Sequence, residues 1–177
     1  MSNETLPTFE EVVEQYSGFV YNVALRMISD PVEAEDVTQE AFLNAYRAWG
    51  RFRGESQVST WLYRITVNRS LMKIRKEKKA RELTQTGFED HEFTDWRIGP
   101  EQAVVGLELR DKLQEAIGLL PADLRAAVVL RDVQELANNE ASDALGISVA
   151  ALKAHLHRGR VLPRKHLEQY VRTPARG

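Results

Sequence analysis

Apolar residues recur every three or four positions along most of the chain, which is the period of a helix that buries one face. The clearest such stripe lies near the N-terminus and consists of Phe9, Val12, Val13, Tyr16, Phe19, Val20, Val23, Ala24 and Met27. No segment alternates apolar and polar residues as a half-buried strand would. The pattern therefore predicts an all-α fold.

Helix-starting residues divide the pattern into further elements. Asp30 can cap a helix whose first position is Pro31, and Glu33 stands where a capping box has its acid. The apolar stripe of this second helix is Val37, Ala41, Phe42, Ala45, Tyr46 and Trp49. A third helix is predicted from about residue 59, and its inward face is expected to contain Trp61, Leu62, Ile65 and Met72.

A change in composition separates two halves of the chain. Residues 83–99 have no usable period and are rich in Thr, Gly, Asp and Glu, which indicates an acidic, flexible linker. Pro100-Glu101 is typical of another helix start, and its apolar positions are Val104, Leu107, Leu113, Ile117 and Leu120. We therefore expect two small helical domains, at 1–82 and 100–172, on either side of the linker.

A helix-turn-helix pattern occupies residues 138–153. Gly146 permits the tight turn, Ser142 is small enough for a close helix crossing, and Ser148 suits the cap of the second helix. Ordinary helical hairpins share this pattern, but the basic side chains on the second helix favour DNA binding. The candidates for contacts with the major groove and its phosphates are Ser148, Ala151, Lys153, His155, His157, Arg158 and Arg160.

The net charge of −2 conceals an uneven distribution. Residues 1–46 contain nine acidic residues and one basic residue, whereas residues 64–81 contain eight basic residues and one acidic residue. Residues 82–101 are acidic again, and residues 151–176 carry seven bases against one acid. Two basic blocks between acidic ones suggest two polyanion-binding surfaces on a chain that also meets a basic partner, although solvated helix faces would give the same blocks.

Several classes of site and of location are disfavoured by composition. The chain has no cysteine, so it has neither disulfides nor cysteine-based metal sites. No stretch approaches the roughly 20 apolar residues of a membrane span, and the N-terminus lacks the regions of a signal peptide, so a cytoplasmic protein is expected. His155 and His157 would point about 200° apart on a helix, which makes them a poor metal pair.

Aromatic rings stand beside bases in the segment that follows the second helix. Phe52 precedes a Gly-containing break, and Trp61 comes shortly before Arg64 and Asn68. Stacking rings and positive charges are what single-stranded DNA recognition needs, although Trp61 taken alone is better explained as a core residue. The second helix carries acids and an amide opposite its apolar stripe, where they are available to a basic partner.

Both halves resemble one protein family. Asp-Val-Thr-Gln-Glu-Ala-Phe at 36–42, Phe-Arg-Gly-Glu-Ser at 52–56 and Thr-Trp-Leu-Tyr-Arg-Ile at 60–65 resemble the second conserved region of extracytoplasmic-function (ECF, group 4) sigma factors of the sigma-70 family. Leu-Pro-Ala-Asp-Leu-Arg at 120–125, Leu-Arg-Asp-Val at 130–133 and the helix-turn-helix resemble their fourth region. The resemblance covers about residues 9–168.

The resemblance implies a promoter-specificity subunit of bacterial RNA polymerase that directs the core enzyme to promoters and assists DNA melting. Asp36, Gln39 and Glu40 would dock on the clamp coiled coil of the polymerase, and the fourth region on its flap. Contacts with the −10 element would come from Phe52, Trp61, Arg64, Asn68, Arg69, Lys73 and Arg75. Contacts with the −35 element would come from the helix-turn-helix candidates. An anti-sigma factor is a further expected partner, which would hold the nucleoid-associated protein inactive at the membrane.

This sequence departs from the family pattern at three places. Ala141 stands where an Ile is common, and Ala154-His155 replaces a common Ser-Arg pair, so that the fork of an Arg is lost from the recognition helix. Pro163 lies in the last helix and is expected to kink or end it. A helix that stayed straight through the proline would lose about 3 kcal/mol of stability.

Two other classes of protein explain part of the pattern. A helix-turn-helix regulator would account for the C-terminal half alone and would footprint duplex DNA without polymerase. A helical adaptor would show little salt-dependent affinity for DNA, whereas sigma binding should weaken steeply as salt rises. An enzyme is disfavoured and no cofactor is expected, because no cluster supplies a nucleophile with its base, a phosphate loop or metal ligands.

Overall fold

A computed structural model describes residues 5–84 and 105–172, and their regular elements are all helices, which confirms the all-α prediction. The helices are α1 (Phe9–Ile28), α2 (Pro31–Trp49), α3 (Val58–Thr84), α4 (Val105–Gly118), α5 (Ala122–Val128), α6 (Asn138–Leu145) and α7 (Val149–Arg172). A π-helical turn, Val129–Val133, continues α5. Most of the predicted linker and the predicted helix start at 100–101 lie outside the described residues. Within the described ranges no helix is both long and apolar enough to cross a membrane.

Local hydrogen bonds set most helix ends, as the sequence indicates. Asp30 accepts hydrogen bonds from the amides of Val32 and Glu33 at 2.9 and 3.1 Å, so it caps α2. Ser148 caps α7 by accepting from the Ala151 amide at 3.1 Å. Glu33 is an exception to the predicted capping box, since its carboxylate forms an ion pair with Lys73 of α3.

The helix-turn-helix is present as predicted. Gly146 ends α6 with a φ of 65°, a left-handed conformation that costs glycine little. Ser142 of α6 is buried, and its hydroxyl donates to the Asn139 carbonyl at 2.9 Å. α7 runs through Pro163, which is buried, so the expectation that this proline ends the helix is wrong. Proline has no amide hydrogen to donate to the carbonyl four residues earlier, so α7 lacks one helical hydrogen bond at this point. The packing of α7 offsets the stability lost with that bond.

The buried face of α3 changes direction along the helix. Leu62 packs in a cluster with α1 and α2, as predicted. By contrast, Tyr63, Val67 and Leu71 belong to a core that α1 shares with the C-terminal helices, and the ring of Tyr63 lies 5.8 Å from that of Phe19 on α1. Met72 was predicted to face inward, but it is 57% exposed because it lies about 100° around the helix from Leu71. Phe19 and Tyr46 were also predicted to face inward, but they are 49% and 65% exposed.

The two halves of the chain share one hydrophobic core. Its members from α1 and α3 are Val23, Met27, Tyr63, Val67 and Leu71. Its members from the C-terminal half are Ile117, Leu120, Ala126, Ala127, Val128, Val129, Leu130, Leu136, Ala141, Ala144, Leu152 and Leu156. The helical period of each segment gives no sign of this packing, because it connects residues about 50 to 130 positions apart.

Buried polar groups tie the same halves together. Arg125, just after the start of α5, donates to the carbonyl of Met27 and to those of Gly118 and Leu120, the last two at 2.8 and 3.0 Å. Burial lowers the pKa of the Arg125 guanidinium, because the charged form loses contact with water. A guanidinium in this position is stabilised by three carbonyl acceptors rather than by a carboxylate.

Candidate nucleic-acid interface

The outward face of α2 carries the three residues predicted to bind the polymerase. Asp36, Gln39 and Glu40 are all exposed, opposite the buried Val37 and Ala41. Three exposed apolar side chains that the sequence analysis missed flank them: Val32 (69% exposed), Leu43 (50%) and Tyr46 (65%). We call these six residues the docking surface. Apolar patches with a charged rim are typical of protein-binding sites.

The sequence contains a signal for this apolar patch. Val32, Asp36, Gln39 and Leu43 are spaced by four, three and four residues, which is the helical period of a second stripe on the side of α2 away from the core. The analysis overlooked it because Tyr46 was assigned to the buried stripe. A stripe that interleaves apolar and acidic residues suits an exposed interface better than a core.

The basic and amide side chains predicted to bind the −10 element lie on two different sides of α3. Arg64, Asn68 and Arg75 are exposed and lie on one side, because they are separated by four and seven residues. Arg69 and Lys73 lie toward α2, where they form ion pairs with Glu40 and Glu33 respectively. The hydrogen bond with Glu33 raises the pKa of Lys73, which keeps its ammonium charged.

Arg75 is also engaged in an ion pair. Its guanidinium lies 3.2 Å from the carboxylate of Asp123, in the C-terminal half. Of the five basic or amide side chains predicted on α3, the described residues therefore give partners to three, and Arg64 and Asn68 point to solvent.

Phe52 and Trp61, which were both predicted to contact the −10 element, lie next to each other. The ring of Phe52 stacks on Trp49 with centroids 5.3 Å apart and an 11° angle between the planes. Its distance to the Trp61 centroid is 4.9 Å, and Trp49 and Trp61 are 5.7 Å apart. The three rings are half-buried and fix the loop between α2 and α3, so Phe52 packs on protein rings rather than projecting alone into solvent.

The recognition helix α7 lines a basic groove. Lys153, His157, Arg160 and Arg164 lie on one side of α7, because their spacing is four, three and four residues. Arg131 and Asn138 form the opposite wall, and the groove has a volume of about 470 Å³. Four cationic side chains around one groove concentrate positive charge in it, which is the chemistry that favours a polyanion.

The π-helical turn positions the opposite wall. Arg131 donates from Nε to the Asn138 side chain at 2.8 Å. Asp132, the next residue, receives a two-pronged ion pair from Arg160 at 2.8 and 2.6 Å. The hydrogen bond with Asp132 raises the pKa of Arg160. The two contacts connect α7 to the π-helical turn.

Other predicted −35 residues lie outside this groove. The Ser148 hydroxyl is used as a helix cap. His155 is half-buried, and its Nδ1 has no hydrogen-bond partner among the described residues. Arg158 is exposed but does not line the groove. The predicted set therefore divides between two sides of α7.

Arg131, Asn138 and Arg164 were not among the sequence candidates. The spacing from Lys153 could have identified Arg164, since it continues the same helical side. Nothing in the sequence pairs Arg131 with a helix that begins 18 residues later. Among the described residues, no group of three or more His, Asp and Glu is placed to hold a metal ion.

These surfaces define a helical DNA-binding protein whose helix-turn-helix forms part of a larger all-α unit. Residues 12–80 match the model of the family "Sigma-70 region 2", and residues 110–162 match "Sigma-70, region 4". Among curated relatives, the ECF RNA polymerase sigma factor SigW of Bacillus subtilis is 36% identical, over 90% of this chain and 88% of the relative. The RNA polymerase sigma-H factor of Pseudomonas aeruginosa is 31% identical, over 93% and 88%. The chain therefore belongs to the ECF group of the sigma-70 family of transcription initiation factors.

Solved structures share the fold. The sigma factor RpoE from Bartonella quintana, in complex with the anti-sigma factor NepR, matches with a TM-score of 0.72 and 22% identity, over 90% of this chain and 96% of that one. CnrH, in complex with the cytosolic domain of CnrY, matches with a TM-score of 0.64 and 22% identity, over 91% and 88%. At this identity the likeness concerns the arrangement of helices.

Proposed function

We propose that this sigma factor directs core RNA polymerase to its promoters through the docking surface, the exposed side of α3 and the basic groove along α7. The observation that carries the proposal is that one chain contains both sigma regions and that each region exposes cationic side chains. In the first region they lie on α3, and in the second they line the groove along α7. The chain acts by binding, and we assign it no catalytic residue and no cofactor.

Core polymerase would bind the docking surface. Asp36, Gln39 and Glu40 would meet the basic clamp coiled coil, and Leu43 and Tyr46 would supply apolar contacts beside the charges. Buried apolar and aromatic contacts usually contribute most of the affinity at an interface, and charges at the rim mainly set its orientation and association rate. The fourth region would meet the flap of the polymerase.

The −10 element would bind the exposed side of α3. Asn68 and Arg64 point to solvent and would contact an extruded base and its phosphates, next to the rings of Phe52 and Trp61. Arg69, Lys73 and Arg75 could reach phosphates only by exchanging their carboxylate partners for them. Such an exchange replaces one charged acceptor by another, so its free energy is small compared with that of burying a new charge.

The −35 element would bind along the basic groove. Lys153 and His157 on one wall and Arg131 on the other would contact phosphates on both sides of the major groove that α7 enters. Arg160 would hold the two walls together through Asp132. His155 lies on the other side of α7, so we give it no part in reading the bases, in contrast to the sequence-based expectation.

An anti-sigma factor is the further partner that we propose. It is supported by the similar fold of RpoE, whose solved structure is a complex with the anti-sigma factor NepR. The similar CnrH is bound to the cytosolic domain of CnrY, which supports a place of action in the cytoplasm. There the chain would be found at the nucleoid, because its promoters are there. An anti-sigma factor anchored in the membrane would hold the chain inactive there.

The proposal is tested by run-off transcription with purified core polymerase on a library of promoters. Within that assay, Asn68→Ala should leave core binding unchanged and lower open-complex formation by about tenfold, since one lost hydrogen bond to a base costs about 1 to 1.5 kcal/mol. Asn22→Ala removes an exposed amide from α1 and is the matched control. Equal loss of core binding and open-complex formation, or loss of neither, would contradict a base-reading role for Asn68.

A further inference from the structure

The loop between α2 and α3, residues 50–57, has little packing of its own. Phe52 is half-buried, whereas every other residue of the loop is exposed. The amide of Phe52 donates to the carbonyl of Trp49 at 3.0 Å, which fixes only the start of the loop. Gly54 then turns with a φ of 72°, a conformation open to glycine. The position of the loop therefore depends on what holds Phe52 and Gly54.

A row of aromatic rings connects Phe52 to the start of α1. The ring of Phe52 stacks on Trp49, and Trp49 in turn contacts Phe9, the first residue of α1. The centroids of Phe9 and Trp49 are 5.8 Å apart, and their planes meet at 61°. Edge-to-face contact of this kind is a favoured arrangement of two rings. Phe9 therefore supports the ring on which Phe52 packs.

The segment before α1 contacts the loop directly. A Cβ built on Gly54 would lie 4.0 Å from Cδ2 of Leu6, which is ordinary van der Waals contact. Leu6 is 51% exposed, so about half of its side chain is covered. The amide of Thr8 donates to the Glu11 carboxylate at 2.8 Å, and its hydroxyl accepts from the Glu11 amide at 3.3 Å. This capping box fixes the direction in which the chain enters α1, and with it the place of Leu6.

We propose that residues 6–9 form a strap that positions the loop, and through it Phe52, for the base extruded from the −10 element. This inference rests on the proposed function, in which Asn68 contacts that base beside Phe52. Leu6 is a positioning residue, because its side chain contacts the loop at Gly54 and is not among the groups proposed to contact DNA. A ring that is already held in place loses less conformational freedom when the base arrives. The strap therefore raises the affinity for single-stranded −10 DNA.

Leu6→Ala removes the contact between the strap and the loop. Because half of the Leu6 side chain is exposed, the change should lower the Tm by less than about 2 °C. Holoenzyme that carries it should bind a single-stranded oligonucleotide with the non-template −10 sequence about threefold to tenfold more weakly, as measured by fluorescence anisotropy. That factor corresponds to about 0.7 to 1.4 kcal/mol, which matches the burial of about half a leucine side chain.

Abasic sites in the oligonucleotide identify the base on which the strap acts. An abasic site in place of the extruded base should weaken binding by wild-type holoenzyme, because Phe52 and Asn68 then have no base to hold. At that position Leu6→Ala and the wild type should bind equally, since there is no base left to position. With an abasic site at any other position, the defect of Leu6→Ala should keep its full size. A purely structural defect would be the same at every position.

Tryptophan quenching tests the strap without DNA. In a Trp96→Phe background, Trp49 and Trp61 are the remaining tryptophans. Both rings contact Phe52, so a loop that leaves its place uncovers them. Leu6→Ala should therefore increase the quenching of their fluorescence by acrylamide in the free protein.

Two further variants make the result specific. Leu6→Met keeps an apolar side chain of similar volume, so it should restore wild-type DNA binding and quenching. Leu109→Ala, at a leucine of α4 that is 45% exposed, is the matched control and should change neither quantity. All three variants should bind core polymerase as tightly as the wild type does.

The outcomes separate the strap from the proposed function. Leu6→Ala holoenzyme that binds the −10 oligonucleotide as tightly as the wild type overturns the strap. A defect that persists at every abasic position, an equal loss of core binding, or unchanged quenching overturns it too. Wild-type holoenzyme that does not distinguish the −10 oligonucleotide from a scrambled one overturns the proposed function, and the strap with it.

Discussion

Leu152→Ala tests whether the two halves fold as one unit. Leu152 lies on α7, is 0% exposed and belongs to the core that also contains Val23, Met27 and Leu71. Truncating a buried leucine to alanine costs about 3 to 5 kcal/mol, through lost apolar burial and the cavity that remains. In a chain of this size 1 kcal/mol corresponds to about 2 to 4 °C, so the Tm should fall by roughly 6 to 20 °C.

Two optical probes distinguish one cooperative unit from two. Trp49 and Trp61 both lie in the N-terminal half, so in a Trp96→Phe background tryptophan fluorescence reports on that half alone. Far-UV circular dichroism reports on all helices. Because the halves share their core, a cavity in the C-terminal half should shift both transitions by the same amount, as two-state unfolding requires.

The control for this experiment is Leu162→Ala, on the same helix. Leu162 is 47% exposed, so its truncation should change the stability by less than about 0.5 kcal/mol. If Leu152→Ala lowers the dichroism transition while the fluorescence transition stays at its wild-type temperature, the halves unfold separately and the shared core does not stabilise the N-terminal half.

Two further predictions concern charge. Arg131→Ala should make the dependence of −35 duplex affinity on salt less steep by about 0.9 in the slope of log K against log salt concentration, since one phosphate contact is lost, and an unchanged slope would remove Arg131 from the −35 surface. Burial, with a smaller contribution from Tyr16, raises the pKa of Tyr63 to about 12, above the usual value of about 10 for an unfolded chain. The stabilising contribution of the neutral phenol is therefore complete below about pH 10 and declines between about pH 10 and 12, by at most about 1.4 kcal/mol per pH unit. Urea unfolding between pH 9 and 11.5 should show a shallower decline for Tyr63→Phe than for the wild type, and parallel curves would refute the role of this phenol.

Features that depend on near neighbours in the chain could be predicted from the sequence. Asp30 and Ser148 cap helices because their side chains reach amides two or three residues away, and Gly146 turns because it lacks a Cβ. These interactions exist in any conformation that brings a few consecutive residues together. The motifs that resemble sigma regions 2 and 4 were found for a related reason, because each is a continuous segment.

The positions of the candidate site residues could be predicted only in part, for the same physical reason. Asp36, Gln39 and Glu40 are exposed on one side of α2, which the helical period already indicates. The period also places Lys153 and His157 together. It does not show which other segments approach a helix, so it could not identify Arg131 and Asn138 as the second wall of the groove.

Contacts between distant segments were decided by the tertiary structure alone. A helix has one period but can have two buried sides. α3 has them because Leu62 packs in a cluster with α1 and α2, while Tyr63, Val67 and Leu71 join the core that α1 shares with the C-terminal helices. Which partner covers which side depends on how apolar stripes from residues up to about 130 positions apart fit together. The sequence by itself therefore determined the helices, their ends and the family. The shared core, the partners of Arg69, Lys73 and Arg75, and the walls of the basic groove followed only from packing, because burial and ion pairing depend on distances in space rather than along the chain.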